Sequence, residues 1–399
     1  MSGWIGLKQN SKNNEQSFMI VRPYLIVPKL IPQPTWGGQY IAEFKSISDS
    51  SIMAMNIGQS YELSADTMLS TITDSSKLPI EIGDPKTGKT TQVIGDASSM
   101  FPLQELIDQN PQAVLGKKYL EKYEPTMEIL IKFTQAKGNS FQVHVRPNEL
   151  LGHWKPKPES WYFFEKGKAT LGLLDPTPER IKQYKNICFE IENAMKQFSV
   201  SLLQKQKTLE DVKKEIQQLL TTNNPYQFVN SIEIEKDTVI DLSNGGIHHS
   251  WEEGLDIPQG NIVYEVQRNV MDNDCTLRSF DKGKIGEDGS IRPIHVDDYF
   301  QALDTDSKHN DPKALVRQSS TMLFDSQFYK TGKITFQDSE KHLFSPESFQ
   351  HFFIKEGSME VGVDENRLSL SKGSSVFVPS DCVEDLQIHS GSQVLHTFI

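Results

Sequence analysis

A glutamine and a histidine, Gln142 and His144, lie two residues apart in the apolar sequence FQVHV. Side chains i and i+2 of a strand point the same way. If this stretch is a strand, the two polar side chains project from one face and the three apolar side chains from the other. An amide beside an imidazole is then either part of a polar outer face or one half of a metal site.

Two further groups could complete such a site. Glu159 stands at the head of the strand-like sequence ESWYFFE, and His248 lies in NGGIHHSW. With Gln142 and His144 they supply one carboxylate, two imidazoles and one amide oxygen, a ligand set that suits Zn²⁺ and also accepts Mn²⁺, Fe²⁺ or Co²⁺. Each residue alone also fits a plain role, as a hydrogen-bonded histidine or a solvated carboxylate at a strand end. Only their convergence would make a metal centre.

Helices that could line one side of such a site are predicted in the middle of the chain. Thr177, Pro178 and Glu179 supply an N-cap, a first-turn proline and a first-turn acid. Apolar residues follow at helical spacing, and a second amphipathic helix begins near Thr208. Because β-rich sequence lies on both sides, we predict a helical layer at about 176–225, inserted into a β domain.

Strands are predicted through most of the remaining chain. Residues 77–94 and 127–145 each read as two strands around a turn, the second pair around AKGN, and residues 101–116 as one helix ended by Gly116. Short strands with Gly and Pro turns fill residues 318–399, which indicates a separate C-terminal barrel or sandwich.

One segment matches a nucleotide-binding pattern but lacks the helix that such a site requires. Residues 83–90, GDPKTGKT, satisfy the phosphate-loop pattern, but the continuation TTQVIGD is β-branched and reaches a glycine within a few residues. A true phosphate loop opens a helix whose N-terminal amides hold the anion. We predict a surface hairpin with Gly88 at a positive φ.

Composition excludes several classes of protein. The net charge is −12, without a Lys/Arg-rich stretch, which argues against a nucleic-acid partner. No apolar run reaches the length of a membrane span, and the polar start lacks the apolar segment of a signal peptide. The three cysteines are scattered. We therefore expect reduced thiols in a cytoplasmic protein that has no membrane or nucleic-acid partner.

Segments along most of the chain resemble, in order, the class I mannose-6-phosphate isomerases, metal-dependent enzymes of the cupin fold. PYLIVPKLIPQPTWGGQYIAEF resembles the opening with its W-G-G, and FPLQELIDQNPQAVLG and MEILIKFTQAKGNSFQVHV lead to the Q-V-H motif. KPESWYF is similar to K-x-E-x-W-Y, and GGIHHSWEEGLDIPQGNIVYEVQRN to G-x-x-H-A and E-x-Q-Q-N. DCTLRSFDKG and SIRPIHVDDYFQALD are similar to T-Y-R-x-Y-D and R-E-L-H-x-x-x-A. The final block is similar to the family's degenerate C-terminal cupin.

The resemblance implies roles for seven residues. The residues that match the metal ligands are Gln142, His144, Glu159 and His248; those that match the active-site arginine, the acid beside it and the lysine before the ligand glutamate are Arg278, Glu265 and Lys157. The implied reaction interconverts mannose 6-phosphate and fructose 6-phosphate through an enediol, with zinc or another divalent ion. The implied partner is a small sugar phosphate, and we expect a monomer.

The sequence departs from the family pattern beside several of these residues. The substituted neighbours are Val145 and Ser243 in place of prolines, His249 in place of alanine and Leu277 in place of tyrosine, and the segment 269–278 is a few residues longer. A strand bulge could let His249 replace His248 as the ligand. Two other functions stay open: a non-catalytic cupin that binds a sugar phosphate, and a metal cupin that acts on another sugar.

The expected fold is mainly β with an inserted helical layer and two cupin (jelly-roll) β-barrels. The predicted division is an N-terminal catalytic domain at 1–316, with the helical insertion at about 176–225, and a degenerate C-terminal domain at 317–399. Four histidines of the second domain, at positions 342, 351, 389 and 396, do not follow the ligand order. We therefore predict that the second barrel carries no metal.

Overall fold

The computed structural model describes residues 20–246, 249–336 and 344–399. The strands of the first part are β1 Tyr24–Ile26, β2 Lys29–Pro32, β3 Ile57–Leu63, β4 Met68–Ser70, β5 Ile80–Gly83, β6 Thr90–Ile94, β7 Met100–Pro102, β8 Ile129–Ala136, β9 Phe141–Val143, β10 Glu159–Phe163 and β11 Gly167–Leu173. After the central helices come β12 Val229–Ile234, β13 Thr238–Asp241, β14 His249–Trp251, β15 Asn261–Arg268, β16 Leu277–Phe280 and β17 Val316–Gln318. The remaining strands are β18 Met322–Asp325, β19 Lys330–Thr335, β20 Gln350–Glu356, β21 Ser358–Val363, β22 Asn366–Ser371, β23 Ser375–Val378, β24 Gln387–Ser390 and β25 Gln393–Phe398.

Helices are fewer and mostly short. They are α1 Tyr40–Phe44, α2 Ser50–Met53, α3 Leu103–Gln109, α4 Pro111–Leu115, α5 Lys117–Leu120, α6 Pro178–Leu203, α7 Leu209–Thr222, α8 Asp272–Cys275, α9 Val296–Ala302 and α10 Pro312–Leu315. The protein is thus mainly β with some helices, as predicted. Within the described part of the chain, no helix is both long and apolar enough to cross a membrane.

Two sheets position the predicted site residues. A nine-stranded sheet has the order β17-β13-β10-β15-β8-β3-β2-β5-β6, and a five-stranded sheet has the order β12-β11-β14-β9-β16. The first sheet carries Glu159 at the start of β10, and the second carries Gln142 in β9 with His144 just beyond its end. Any site that contains these residues therefore forms between the two sheets.

Two helices, α6 and α7, form in the region predicted for the helical layer and pack on one face of the five-stranded sheet. Thr177 caps α6 by accepting a hydrogen bond from the Arg180 amide, and Thr208 caps α7 in the same way. Phe141 and Val143 of β9 share a buried apolar cluster with residues of both helices. Since alternate strand residues point to opposite faces, this packing directs Gln142 away from the helices.

Two predicted local structures differ from those observed. Strands β8 and β9 do not pair: β8 lies between β15 and β3, whereas β9 lies between β14 and β16. The AKGN turn therefore carries the chain from one sheet to the other. The predicted helix at 101–116 is divided at Asn110, because Pro111 cannot continue the hydrogen-bond ladder. The Asn110 side chain accepts from the Ala113 amide and caps the new helix.

The phosphate-loop pattern forms the predicted hairpin. Strands β5 and β6 pair in antiparallel register. In the turn between them, the carboxylate of Asp84 accepts hydrogen bonds from the Lys86 and Thr87 amides, and Gly88 has φ +69°. No helix follows, so these amides serve the turn.

The C-terminal strands join strands from the start of the chain. An eight-stranded sheet has the order β18-β19-β25-β20-β23-β1-β4-β7, in which Leu25 of β1 faces Val376 of β23. Strands β21, β22 and β24 form a separate three-stranded sheet.

Candidate functional site

His144 is buried and oriented by a backbone carbonyl. Its side chain is 1% exposed, and its Nδ1 lies 2.8 Å from the carbonyl oxygen of Cys275. A carbonyl only accepts hydrogen bonds, so Nδ1 carries a proton, and in the neutral imidazole Nε2 then presents its lone pair. The Cys275 carbonyl belongs to the one-turn helix α8, which lies just before β16. This short helix therefore fixes the tautomer of His144.

Glu159 reaches the same place from the other sheet. Its Oε1 lies 3.3 Å from Nε2 of His144, and both side chains are almost fully buried. With the tautomer fixed by Cys275, a lone pair of the imidazole faces a carboxylate oxygen. Two acceptors at this distance repel unless a proton or a cation lies between them.

Two lysines and a second glutamate continue the cluster. Nζ of Lys157 lies 2.7 Å from Oε2 of Glu159 and 3.7 Å from Oε1 of Glu265. Nζ of Lys132 lies 2.9 Å from the same Glu265 oxygen. All four of these side chains are buried. Two carboxylates thus face two ammonium groups in a dry environment, where charge interactions are strong.

The charges in this cluster shift the pKa values of its members. Burial alone would lower the pKa of Lys157, but the carboxylates of Glu159 and Glu265 outweigh it and raise that pKa above its ordinary value. Burial raises the pKa of Glu265, against the lowering effect of Lys132 and Lys157. Lys157 is therefore a firmly protonated cation, while Glu265 is a better proton acceptor than an ordinary carboxylate.

Arg278 lies beside Gln142 and is held by an acid. The two residues face each other in register on β16 and β9. The guanidinium of Arg278 forms an ion pair with the Asp272 carboxylate of α8. Burial would raise the pKa of Asp272, but Arg278 and a hydrogen bond from Thr276 lower it to about 2. The Asp272 side chain is 64% exposed and that of Arg278 is 7% exposed, so the ion pair joins a buried guanidinium to a carboxylate at the surface.

The structure brings four of the seven predicted site residues into contact, and these are His144, Lys157, Glu159 and Glu265. Gln142 and Arg278 stand side by side in the neighbouring sheet. His248 lies outside the described residues, so whether it or His249 completes the ligand set stays a prediction. Within the described residues, no three or more His, Cys, Asp or Glu side chains converge as metal ligands.

Sequence reasoning missed three groups around this cluster. These are Lys132, the Asp272 carboxylate and the Tyr61 side chain of β3, which lies near Glu265. A lysine in the otherwise apolar strand sequence ILIKF was a signal that Lys132 points at a buried acid. The other two carry no comparable local signal, because their positions depend on strand register and on an extended loop.

Comparisons with known proteins find a likeness in structure alone. No protein-family model matches the chain, and no curated protein matches its sequence. Solved structures do match. A mannose 6-phosphate isomerase from Bacillus subtilis has a TM-score of 0.60 and 16% identity, over 94% of this chain and 99% of that one. A phosphomannose isomerase variant from Salmonella typhimurium has a TM-score of 0.62 and 14% identity, over the same shares of the two chains.

Two more solved structures extend the comparison. A zinc-bound mannose 6-phosphate isomerase has a TM-score of 0.60 at 14% identity, over 94% of this chain and 99% of that one. A structure described as a possible mannosephosphate isomerase from Archaeoglobus fulgidus has a TM-score of 0.58 at 16% identity, over 95% and 97%. The likeness spans nearly the whole chain. At such a low sequence identity it is evidence for a shared fold and for nothing further. The protein therefore shares its fold with solved mannose 6-phosphate isomerases.

Proposed function

We propose that the protein is a metal-dependent sugar-phosphate isomerase that interconverts mannose 6-phosphate and fructose 6-phosphate through an enediol. In this proposal it is a cytoplasmic monomer built of two cupin barrels. The catalytic barrel spans 1–316, with the helical insertion at about 176–225, and the metal-free barrel spans 317–399. The shared fold supports the reaction class, and the buried cluster around Glu159 supports the chemistry.

The observation that carries the proposal is the approach of His144 to Glu159. Two ligands that each lie about 2.0–2.1 Å from a tetrahedral zinc ion are roughly 3.3 Å apart. The distance between Nε2 of His144 and Oε1 of Glu159 is 3.3 Å, and in the neutral imidazole the proton lies on Nδ1, so that Nε2 can act as a ligand. A nitrogen and a carboxylate oxygen from two different sheets thus have the spacing that a divalent ion requires. Gln142 and either His248 or His249 would supply the remaining ligands.

The proposed reaction needs one proton shuttle and one means of stabilising negative charge. A bound divalent ion polarises a carbonyl group and stabilises negative charge on its oxygen. A proton leaves C2 of the open-chain aldose and is delivered to C1, while the O2 hydroxyl proton moves to O1. We assign the carbon-to-carbon transfer to Glu265, because burial raises the pKa of this carboxyl group. Lys157 is protonated and offers a donor to the oxygens.

Arg278 is assigned to an anionic part of the substrate. A guanidinium binds two oxygens of a phosphate or an enediolate at once. The same residue also favours a second candidate, a cupin that binds a sugar phosphate without turnover. In the described structure Asp272 already compensates the arginine charge, which is compatible with a site that no longer stabilises a transition state.

An assay of the purified chain decides between these functions. With added Zn²⁺ it should interconvert the two sugar phosphates, and EDTA should abolish the activity. His144→Ala and Glu159→Ala should each lose bound zinc, as measured by elemental analysis. Matched controls are His389→Ala and Glu360→Ala, since these exposed residues also face each other across paired strands. Zinc bound without turnover would favour the second candidate, and unchanged zinc in both site variants would refute the ligand assignment.

A further inference from the structure

A short segment connects the backbones of two residues that carry the proposed metal centre. Residues 242–246 follow β13, and the Leu242 amide donates a hydrogen bond of 2.9 Å to the Glu159 carbonyl. At the other end of the segment, the Gly246 amide donates a bond of 2.8 Å to the His144 carbonyl. Glu159 belongs to the nine-stranded sheet, whereas His144 directly follows β9 of the five-stranded sheet. The segment therefore spans the gap between the two sheets beside the candidate site.

Two glycines allow the segment to lie this close to His144. Gly245 and Gly246 have φ values of +63° and +70°, which favour glycine. A Cβ atom on Gly245 would lie 2.9 Å from the Val145 carbonyl oxygen and 3.0 Å from that of His144. A Cβ atom on Gly246 would lie 2.6 Å from Nε of Arg146. The Arg146 side chain therefore packs directly against the backbone of Gly246.

Asp304 holds Gly246 and Arg146 together. Its amide donates a hydrogen bond of 2.6 Å to the Gly246 carbonyl, and its Oδ2 lies 2.5 Å from Nη2 of Arg146. The Asp304 side chain is 7% exposed, whereas that of Arg146 is 35% exposed. The amide of Gly246 is thus bonded to His144, its carbonyl is bonded to Asp304, and its Cα is covered by Arg146.

Other hydrogen bonds fix the position of Asp304. Its Oδ2 also accepts a bond of 2.7 Å from Nδ1 of His309, and its Oδ1 accepts one of 2.9 Å from the Asp306 amide. The Asn310 side chain donates to the Asp304 carbonyl and accepts from the Leu173 amide at the end of β11. A buried carboxylate is costly unless such donors match it. Asp304 is therefore a fixed point beside the five-stranded sheet.

The spacing of the two proposed ligands depends on how their backbones are held. Nε2 of His144 and Oε1 of Glu159 lie 3.3 Å apart, and a metal site needs its ligands in place to within about 0.5 Å. The Cys275 carbonyl orients the ring of His144, whereas the Gly246 amide holds its backbone. Residues that support a ligand without touching the metal change metal affinity by about 10-fold to 100-fold.

We propose that Asp304 is a positioning residue for the metal centre. Its carboxylate holds Arg146 against Gly246, and Gly246 holds the backbone of His144 at its distance from Glu159. Both oxygens of Asp304 accept hydrogen bonds from protein donors, so Asp304 supports the site and is not itself a ligand. This inference rests on the proposed function, since it assigns a support to the metal ligands of that site.

The test compares Asp304→Asn with Glu62→Gln in the full-length protein. Both changes replace a buried carboxylate by an amide of the same shape. Glu62 is a matched control because it pairs with Lys45 and accepts from Ser375 of the eight-stranded sheet, outside the candidate site. We expect the zinc dissociation constant, measured by competition with a chelator, to rise about 10-fold to 100-fold in Asp304→Asn. It should stay at the wild-type value in Glu62→Gln.

Two further measurements separate a positioning role from a loss of stability. The melting temperature should fall in both variants, because each loses a buried ion pair. The visible absorption of the Co²⁺-loaded protein depends on the geometry of the ligands, and it should change in Asp304→Asn alone. A changed spectrum in Glu62→Gln as well would show that destabilisation is sufficient, and it would overturn the inference.

A second variant tests whether Asp304 acts through Arg146. Arg146→Ala should weaken zinc binding by a similar factor, and the double variant should bind zinc no more weakly than the weaker single variant, since both changes remove one contact. Factors that multiply in the double variant would overturn the action through Arg146. Because Arg146 is partly exposed, this variant also tests the contact if Asp304→Asn does not fold.

The outcomes separate this inference from the proposed function. Zinc binding at wild-type strength in Asp304→Asn overturns the inference and leaves the proposed function standing, and so does equal weakening in Glu62→Gln. Zinc bound by the wild type without turnover overturns the isomerase function, but the dissociation constants still test Asp304. A wild-type protein that binds no zinc overturns both.

Discussion

The segment before Arg278 holds two residues of the candidate site in place. Helix α8 supplies Asp272, which pairs with the guanidinium, and the Cys275 carbonyl, which orients His144. The segment 269–278 is also where the sequence is longer than the family pattern. One local extension therefore acts on both a proposed metal ligand and the proposed anion-binding arginine.

We predict that Arg278→Ala retains zinc and loses rate. The arginine is not among the proposed ligands, so zinc content by elemental analysis should match the wild type. The catalysed rate should fall about 100-fold or more, because a donor aimed at developing negative charge is removed. Arg268→Ala is the control, since Arg268 pairs with Glu128 outside the cluster. Full activity in Arg278→Ala would contradict the assigned role.

At the scale of single residues, the sequence predicted which residues lie together in the candidate site better than it predicted their ion-pair partners. His144, Glu159, Lys157 and Glu265 were predicted as one site, and the structure brings them into contact. The ion pair of Arg278 could not be predicted, because it depends on how the longer segment folds into α8.

Among the elements, the short helix α4 is joined closely to the C-terminal part of the chain. The helix ends at Gly116, whose φ is +89°. The amide of Lys118 donates to the Glu347 carbonyl, and the amide of Phe349 donates to the Leu115 carbonyl. A Cβ atom on Gly116 would lie 2.4 Å from the Glu347 carbonyl oxygen. Glycine is therefore required here by both backbone conformation and close approach.

We predict that Gly116→Ala destabilises the protein by about 3 kcal/mol or more, since it combines backbone strain with a contact between Cβ and a carbonyl. Gly152→Ala is a matched control, because Gly152 also has a positive φ, of +56°, but no atom lies within 4 Å of the added Cβ. The control should cost only about 1 kcal/mol. Denaturant unfolding measures the free energy of unfolding of both variants. An equal loss of stability in the two would show that small backbone shifts relieve the contact with Glu347.

The elements that the sequence predicted well are those defined by local signals. The caps Thr177 and Thr208 set the starts of α6 and α7, and the Asp84–Gly88 turn sets the β5–β6 hairpin. The predicted pairing of β8 with β9 was wrong, because a turn signal does not say which sheet the next strand joins. Which strands pair depends on how side chains are buried in the complete fold, and the sequence of a single segment does not contain that information.

At the scale of the whole molecule, strands from the two predicted domains share sheets. Strand β1 pairs with β23, and β17, which spans the proposed boundary at residues 316 and 317, pairs with β13. The division into 1–316 and 317–399 stays a prediction. If these are two barrels, they are joined through continuous strand pairing rather than through a linker alone.

Two buried histidines in the eight-stranded sheet link stability to pH. Burial lowers the pKa values of His351 and His396 to about 3 each. Above pH 6.5 both rings are neutral in the folded and unfolded states. Between pH 6.5 and 3 only the unfolded chain takes up their protons, so the free energy of unfolding falls as the pH is lowered through this window.

We predict that the wild-type protein loses at most about 1.4 kcal/mol per histidine for each pH unit below 6.5. Unfolding in denaturant at a series of pH values measures this slope. His351→Leu should have a shallower slope, since it removes one buried titrating group. His389→Leu replaces an exposed histidine and should keep the wild-type slope. A His351→Leu slope equal to that of the wild type would contradict the assignment.

The pairing of β1 with β23 also affects how the chain is made. Roughly 350 residues separate Leu25 from its partner Val376. At about 5–20 residues per second, the ribosome delivers the partner strand roughly 20 to 70 seconds after β1 has been synthesised. During that interval Tyr24, Leu25 and Ile26, all buried in the finished protein, lack the strand that covers them. Completion of this sheet therefore waits for β23, and until then β1 remains a buried-type strand without one of its two partners.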